Sequence, residues 1–339
     1  MLEAANIEDW GTTKKGSPVK RIKLRNGALT ASIITYGAAV QDLRLQGHDA
    51  PLVLGFDTLS AYENNRTFFG AIVGRCANRV SNGKCQIAGV EYNLARGEGD
   101  VHHLHGGPDG FFSRCWDIVD VSDSSVTLEI VSADGDQGYP GNLTAQCIYK
   151  LTDDNALSIE LVAQSDQPTL CNLVNHNYFN LEDGGLNDIN LHRLRVDAER
   201  YLVSDDTNAP TGEIADVSHT LFDFRGLRPI GDFKNYDHNF CLADTRRSLT
   251  EVARLVAPSS GVEMDVLTTE PGVHVYGSGS LSVSDAGLDS LTYKQGAGIC
   301  LETQIWPDAI NHTAFPEVVL MPDETLTQHT LYRFTRAGE

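Results

Sequence analysis

LTAQCIYKLTDDNALSIEL, residues 143–161, decides the fold class. Leu143, Ala145, Cys147, Tyr149 and Leu151 recur at every second position, so one strand face collects all five. Asp153-Asp154-Asn155 supplies turn chemistry, and Leu157, Ile159 and Leu161 resume the alternation beyond it. The stretch predicts two antiparallel strands whose register is held by a shared apolar face. Upstream, Ile22 and Leu24 lead through Asn26-Gly27 into Leu29, Ala31 and Ile33, a second hairpin, and Val126, Leu128 and Ile130 repeat the pattern. Downstream, strands are predicted around Val262–Val266, Val273–Tyr276, Ile299–Leu301 and Leu326–Phe334. Helical candidates are few and short, the best being Thr58 to Asn65 with a threonine cap. Many strands without helical crossovers predict a large all-β antiparallel sandwich. No repeat period, low-complexity tract or linker divides the chain, so residues 1–339 are expected to form a single domain.

The composition excludes some partners. Across 339 residues the formal charge is −20, which repels nucleic-acid phosphates and anionic lipid headgroups. No apolar run of about 18 residues is present to span a bilayer. Glu3, Glu8 and Asp9 stand where a signal peptide would need positive charge, so an unexported, cytoplasmic protein is expected. The seven cysteines, Cys76, Cys85, Cys115, Cys147, Cys171, Cys241 and Cys300, are scattered without a C-x-x-C pair and read as reduced thiols.

Polar islands interrupt the strand pattern: Asn78-Arg79, His102 to Gly107, Asn175 to Asn180, Tyr236 to Phe240, and Leu301 to Gln304 followed by Trp306-Pro307-Asp308. Asn78-Arg79 reads either as a surface pair or as a fork for sugar hydroxyls. Asp237 reads equally as a turn-closing residue. His103 and His105, two apart on a strand, share a face, yet no third ligand completes a metal set and no metal is expected. Gly106-Gly107-Pro108-Asp109-Gly110 lacks the lysine of a phosphate loop. Glu302 lies in an apolar strand, on one face with Cys300 and Gln304. A carboxylate buried there needs a structural partner or a chemical role.

These islands resemble the aldose 1-epimerase (galactose mutarotase) family over nearly the whole chain. Gly74-Arg75-Cys76-Ala77-Asn78-Arg79 is similar to its G-R-x-A-N-R segment, Leu104-His105-Gly106-Gly107 to L-H-G-G, and Asp136-Gln137-Gly138-Tyr139-Pro140-Gly141 to D-x-G-Y-P-G. Asn175-His176-Asn177-Tyr178-Phe179-Asn180-Leu181 is similar to N-H-x-Y-F-N-L, Asp237-His238-Asn239-Phe240 to D-H-N-F, and Leu301 to Asp308 to L-E-T-Q-x-W-P-D. The resemblance implies a mutarotase-type supersandwich with an open sugar cleft, no cofactor, and a free aldose as the small-molecule partner; a monomer or weak homodimer is expected. It implies Glu302 as the base that takes the anomeric hydroxyl proton and His176 as the acid toward the ring oxygen. Asn78, Arg79, His105 and Asp237 are implied as hydroxyl-binding or orienting groups. His274 departs from the pattern, standing where many relatives carry glutamine. The rivals are a hexose-6-phosphate epimerase, a glycoside hydrolase using Glu302 and Asp237, and a non-catalytic sugar-binding sandwich.

Overall fold

The computed structural model describes residues 6–97 and 99–336; Glu3 lies outside them. The 143–161 stretch forms strands Leu143–Leu151 and Ala156–Ser165, paired antiparallel with Tyr149 opposite Ile159 and Leu151 opposite Leu157. They sit inside a nine-stranded sheet that continues through Leu326–Arg336, Val262–Thr268, Thr250–Val256 and Arg193–Val196. A six-stranded sheet runs Tyr178–Phe179, Ile299–Gln304, Gly272–Tyr276, Asp237–Cys241, Arg200–Ser204, Pro210–Asp216. The Asn26-Gly27 hairpin, with Gly27 at φ 53°, joins Pro18–Asn26 to Leu29–Ile34 in a four-stranded N-terminal sheet. The α-helix Leu59–Asn64 is capped by Thr58, whose Oγ1 accepts from the Ala61 N–H at 3.4 Å.

The pleat of the six-stranded sheet separates core from cleft. Phe240, Val273, Val275, Ile299 and Leu301 enter the main core with Tyr149, Ile159, Leu161, Val266 and Tyr332. Each fully buried large apolar side chain of this kind contributes about 1.5–3 kcal/mol. Tyr332 Oη, buried with them, donates to the Leu301 carbonyl at 3.0 Å. The alternate residues of the same strands, including His274 and Glu302, take the opposite face.

Several motif residues hold the frame. Arg75 is 1% exposed and places five N–H groups: Nε on Ser132 Oγ (2.9 Å), Nη1 on the Pro140 carbonyl (3.0 Å) and Thr169 Oγ1 (3.4 Å), and Nη2 on the carbonyls of Ser132 and Ala133 (both 2.8 Å). Asp136 pairs with Arg114 at 2.6 Å, and that hydrogen bond, with Ser132, keeps its pKa below the usual range although burial alone would raise it. Asp308 accepts from the Ser81 backbone N–H at 3.0 Å and from Ser81 Oγ, tying the C-terminal segment to the strand that carries Arg79. All seven cysteines are free, six of them buried. Among the described residues no helix is long and apolar enough to cross a membrane.

Candidate active site

Cross-strand register assembles the site. On the solvent side of the six-stranded sheet, Asn239 stands opposite His274 and His274 opposite Glu302, forming one polar row. The neighbouring row is Asp237, Tyr276, Cys300 and Tyr178. His176 lies two residues before Tyr178, which carries it level with Glu302. Its Nε2 is 3.6 Å from Glu302 Oε1, with side-chain exposures of 4% and 2%. The face shared by Cys300, Glu302 and Gln304 is thus the one the strand alternation predicts, and it closes on no arginine or lysine partner for Glu302 among the described residues.

The His176 ring is clamped. It stacks on Tyr178 at 5.1 Å, meets His105 edge-on at 5.1 Å and tilts over Phe68 at 5.5 Å, while Cys300 Sγ lies 3.6 Å from its Nδ1. Burial depresses its pKa and the Glu302 carboxylate opposes that shift. Depression makes the imidazolium a stronger acid. The adjacent carboxylate restores part of its population.

Asn78 and His105 grip each other through the backbone. The Asn78 N–H donates to His105 Nδ1 at 3.2 Å and the His105 N–H donates to the Asn78 carbonyl at 3.0 Å. Both residues are in the left-handed region, at φ 57° and 51°. The next residue, Gly106, packs against Gly74, where a Cβ would stand 1.6 Å from the carbonyl oxygen. Because Nδ1 accepts, the proton sits on Nε2, and His105 faces the cleft as a donor. Burial, then the neighbouring His176 and Arg79, hold it well below 6.5, so it stays neutral.

Asp237 is engaged at both oxygens, Oδ1 by His274 Nε2 at 2.7 Å and Oδ2 by Arg79 Nη2 at 3.3 Å. Burial would raise its pKa, but the His274 hydrogen bond and the charges of His274 and Arg79 lower it well below the usual range. It remains a carboxylate. Asn78 Oδ1 accepts from the Arg79 N–H at 2.9 Å, leaving its Nδ2 to donate.

All seven residues singled out in the sequence line one open cleft of about 710 Å³. One expectation fails. The strand carrying His103 ends at Leu104, and His105 turns away; His103 instead engages the Ala95 carbonyl and Tyr139 Oη in the interior. The potential metal ligands that do converge are His105, His176 and Glu302, within 4.8 Å of one another. Coordination through His105 Nε2 would require moving its proton to Nδ1, against the Asn78 N–H, so this set does not fit a resident divalent cation. The sequence reading missed Phe68, Arg66, Tyr276 and Ser280 as cleft walls. Phe68 carries no motif signal, and its φ of 61° is visible only in three dimensions.

The aldose 1-epimerase family model matches residues 20–333. The chain is 38% identical over 331 residues to galactose mutarotase of Homo sapiens, covering 95% of this chain and 96% of that protein. It is 34% identical over 335 residues to aldose 1-epimerase of Escherichia coli (strain K12), covering 94% and 96%. Among solved structures, an aldose epimerase homologue from C. elegans superimposes with TM-score 0.87 at 31% identity, covering 93% of this chain and 98% of that one. A galactose 1-epimerase from Lactobacillus acidophilus NCFM gives 0.83 at 27% identity, covering 98% of both. The match spans the sandwich and every polar island of the cleft, and the chain belongs to the aldose 1-epimerase family.

Proposed function

We propose that this isomerase interconverts the α and β anomers of free aldohexoses such as galactose and glucose, with Glu302 as base and His176 as acid. The observation that carries the assignment is the buried Glu302 Oε1–His176 Nε2 pair, 3.6 Å apart on the cleft wall. Glu302 takes the proton of the C1 hydroxyl as C1=O forms; the bond from C1 to the ring oxygen breaks, and that oxygen receives the His176 Nε2 proton. The open aldehyde turns about C1–C2. Reclosure runs the same transfers backward from the other face. Mutarotation proceeds unaided in water, so acid and base catalysis of roughly 100- to 10,000-fold supplies much of what is needed.

Asn78, Arg79, His105, Asp237 and His274 hold the hydroxyls and keep the reacting carbon over the pair. The cleft charges favour a neutral sugar over a hexose phosphate, since Arg79 is paired with Asp237 and Arg66 with Asp100 at 3.4 Å. Asp237 has both oxygens occupied, which argues against a glycosidase acid. Polarimetry on freshly dissolved α-D-galactose and α-D-glucose tests the reading; no acceleration of either sugar rejects it.

The single-domain reading is supported by one core cluster running from Ile22 to Phe334. The seven free cysteines support a cytoplasmic location. A monomer or weak homodimer is expected, and sedimentation of the purified protein checks it.

A further inference from the structure

A catalytic imidazole is commonly aimed by a hydrogen bond at the nitrogen that does no chemistry. His176 has only a weak one. Among the described residues its Nδ1 meets the Cys300 sulfur at 3.6 Å, and its Nε2 stands 3.6 Å from Glu302 Oε1, beyond a normal hydrogen bond. The ring must therefore be aimed by packing. Phe68 lies against it with centroids 5.5 Å apart and planes at 31°. The same phenyl ring lies 4.8 Å from His105 and is met edge-on by Phe112 at 4.8 Å.

The backbone at Phe68 is strained to place that ring. Its φ of 61° is in the left-handed region, where a bulky side chain is an outlier that the surroundings must impose. The turn that imposes it is bonded to the main chain of the acid itself. The Gly70 N–H donates to the His176 carbonyl at 3.0 Å, the His176 N–H to the Ala71 carbonyl at 2.9 Å, and the Ala71 N–H to the Phe68 carbonyl at 3.0 Å. One backbone junction thus delivers both rings. Phe68 is half-buried and lines two hollows, the sugar cleft and a neighbouring cavity of about 680 Å³ walled by Tyr36, Tyr62 and Phe112. A side chain without its flat face would leave the imidazole room to turn.

We propose that Phe68 is a positioning residue for the acid, its ring face fixing the imidazole plane so that Nε2 stays beside Glu302 and the reacting sugar. The proposal rests on the anomer-exchange reading above. Phe68 moves no proton, and a residue that only aims the acid acts on kcat rather than on sugar binding.

Anomer exchange of galactose is measured for wild type, for Phe68→Leu and Phe68→Met, which fill the space without a flat face, and for Phe68→Tyr, which keeps the face. Phe68→Leu and Phe68→Met are expected to lower kcat about 10- to 100-fold with KM within about twofold of wild type. Phe68→Tyr should recover most of that loss. A kcat within about twofold of wild type in either variant overturns the proposal. So does a rise in KM alone, which would make Phe68 a wall for the sugar, and so does an equal loss in Phe68→Tyr. The sugar-free, full-length protein gives a readout independent of turnover: relaxation dispersion of the His176 Cε1–H resonance, identified by its absence from the His176→Asn spectrum. That resonance is expected to be free of exchange in wild type and Phe68→Tyr and to gain microsecond-to-millisecond exchange in Phe68→Leu and Phe68→Met. A ring as still in those two variants as in wild type overturns the proposal. Wild type failing on galactose removes the underlying reading instead, and the relaxation result stands apart from it.

Discussion

Arg75 and Glu302 are both charged and both almost fully buried, yet their surroundings are opposites. Around Arg75 the protein itself answers every N–H, with five acceptors drawn from three segments. Around Glu302 the row is left open: Glu302 Oε2, His274 Nδ1, Asn239 Oδ1 and both amide atoms of Gln304 lack partners. Buried polar groups are normally satisfied, so the saturated Arg75 cluster is architecture, whereas Glu302 and His274 carry unanswered polar atoms in the wall of the cleft. Burial alone separates nothing here. The count of answered hydrogen bonds does.

The sharpest way to break the contrast is at the open end. Glu302→Gln and His176→Asn are each expected to lower kcat by about 100- to 10,000-fold, since each removes one proton carrier. Thermal unfolding should hardly move. A Glu302→Gln enzyme with most of its turnover would return that carboxylate to a structural role.

Arg75→Met tests the closed end. It strands five acceptors in the interior, and a stability loss of about 3–5 kcal/mol is expected in urea unfolding. Whatever fraction stays folded should keep its KM. A smaller contrast lies four residues further on, where Arg79→Ala removes a guanidinium from the cleft and should cost roughly 10- to 100-fold in kcat/KM, with unfolding within about 1 kcal/mol of wild type.

Acid sharpens the comparison from another side. Asp136 at the closed end and Asp237 at the open end both have pKa values below the ordinary carboxylate value. Their stabilisation is fully present above the unfolded-state pKa, about 4, and is lost as pH falls through the lower folded values. Urea midpoints should therefore hold to about pH 5 and decline below it. The smallest expected effect is that of prolonged chelation. Activity after exhaustive dialysis against a chelator should equal the untreated rate, and a loss restored by zinc would contradict the His105 geometry.

Strand parity is a local property, which is why so much of the core and the direction of Glu302 were legible in the sequence. Ile299 and Leu301 had to face inward, so Cys300, Glu302 and Gln304 had to face out. The thiols were legible for the same reason, as scattered apolar positions. What joins Asp237 to His274 was not legible: the two lie diagonally across neighbouring strands, and the contact depends on a register that neither strand encodes alone. His103 and His105 were misread because parity was carried one residue past the strand's end. The motif resemblance found Arg75 and Asp136 but could not divide them from Arg79 and Asp237, because a bare motif does not say whether its polar atoms are answered.

The single row formed by Asn239, His274 and Glu302 has a consequence for how this gene can vary. Substitution at Ile299 or Leu301 by another apolar residue alters packing but leaves the glutamate on its side of the sheet. A codon inserted between Ile299 and Leu301 is different in kind: it reverses the face of every later residue in the strand, sending Glu302 into the hydrocarbon interior and Leu301 toward the sugar. Length in this strand is therefore far less free to drift than composition, and tolerated insertions should collect in the turns between strands.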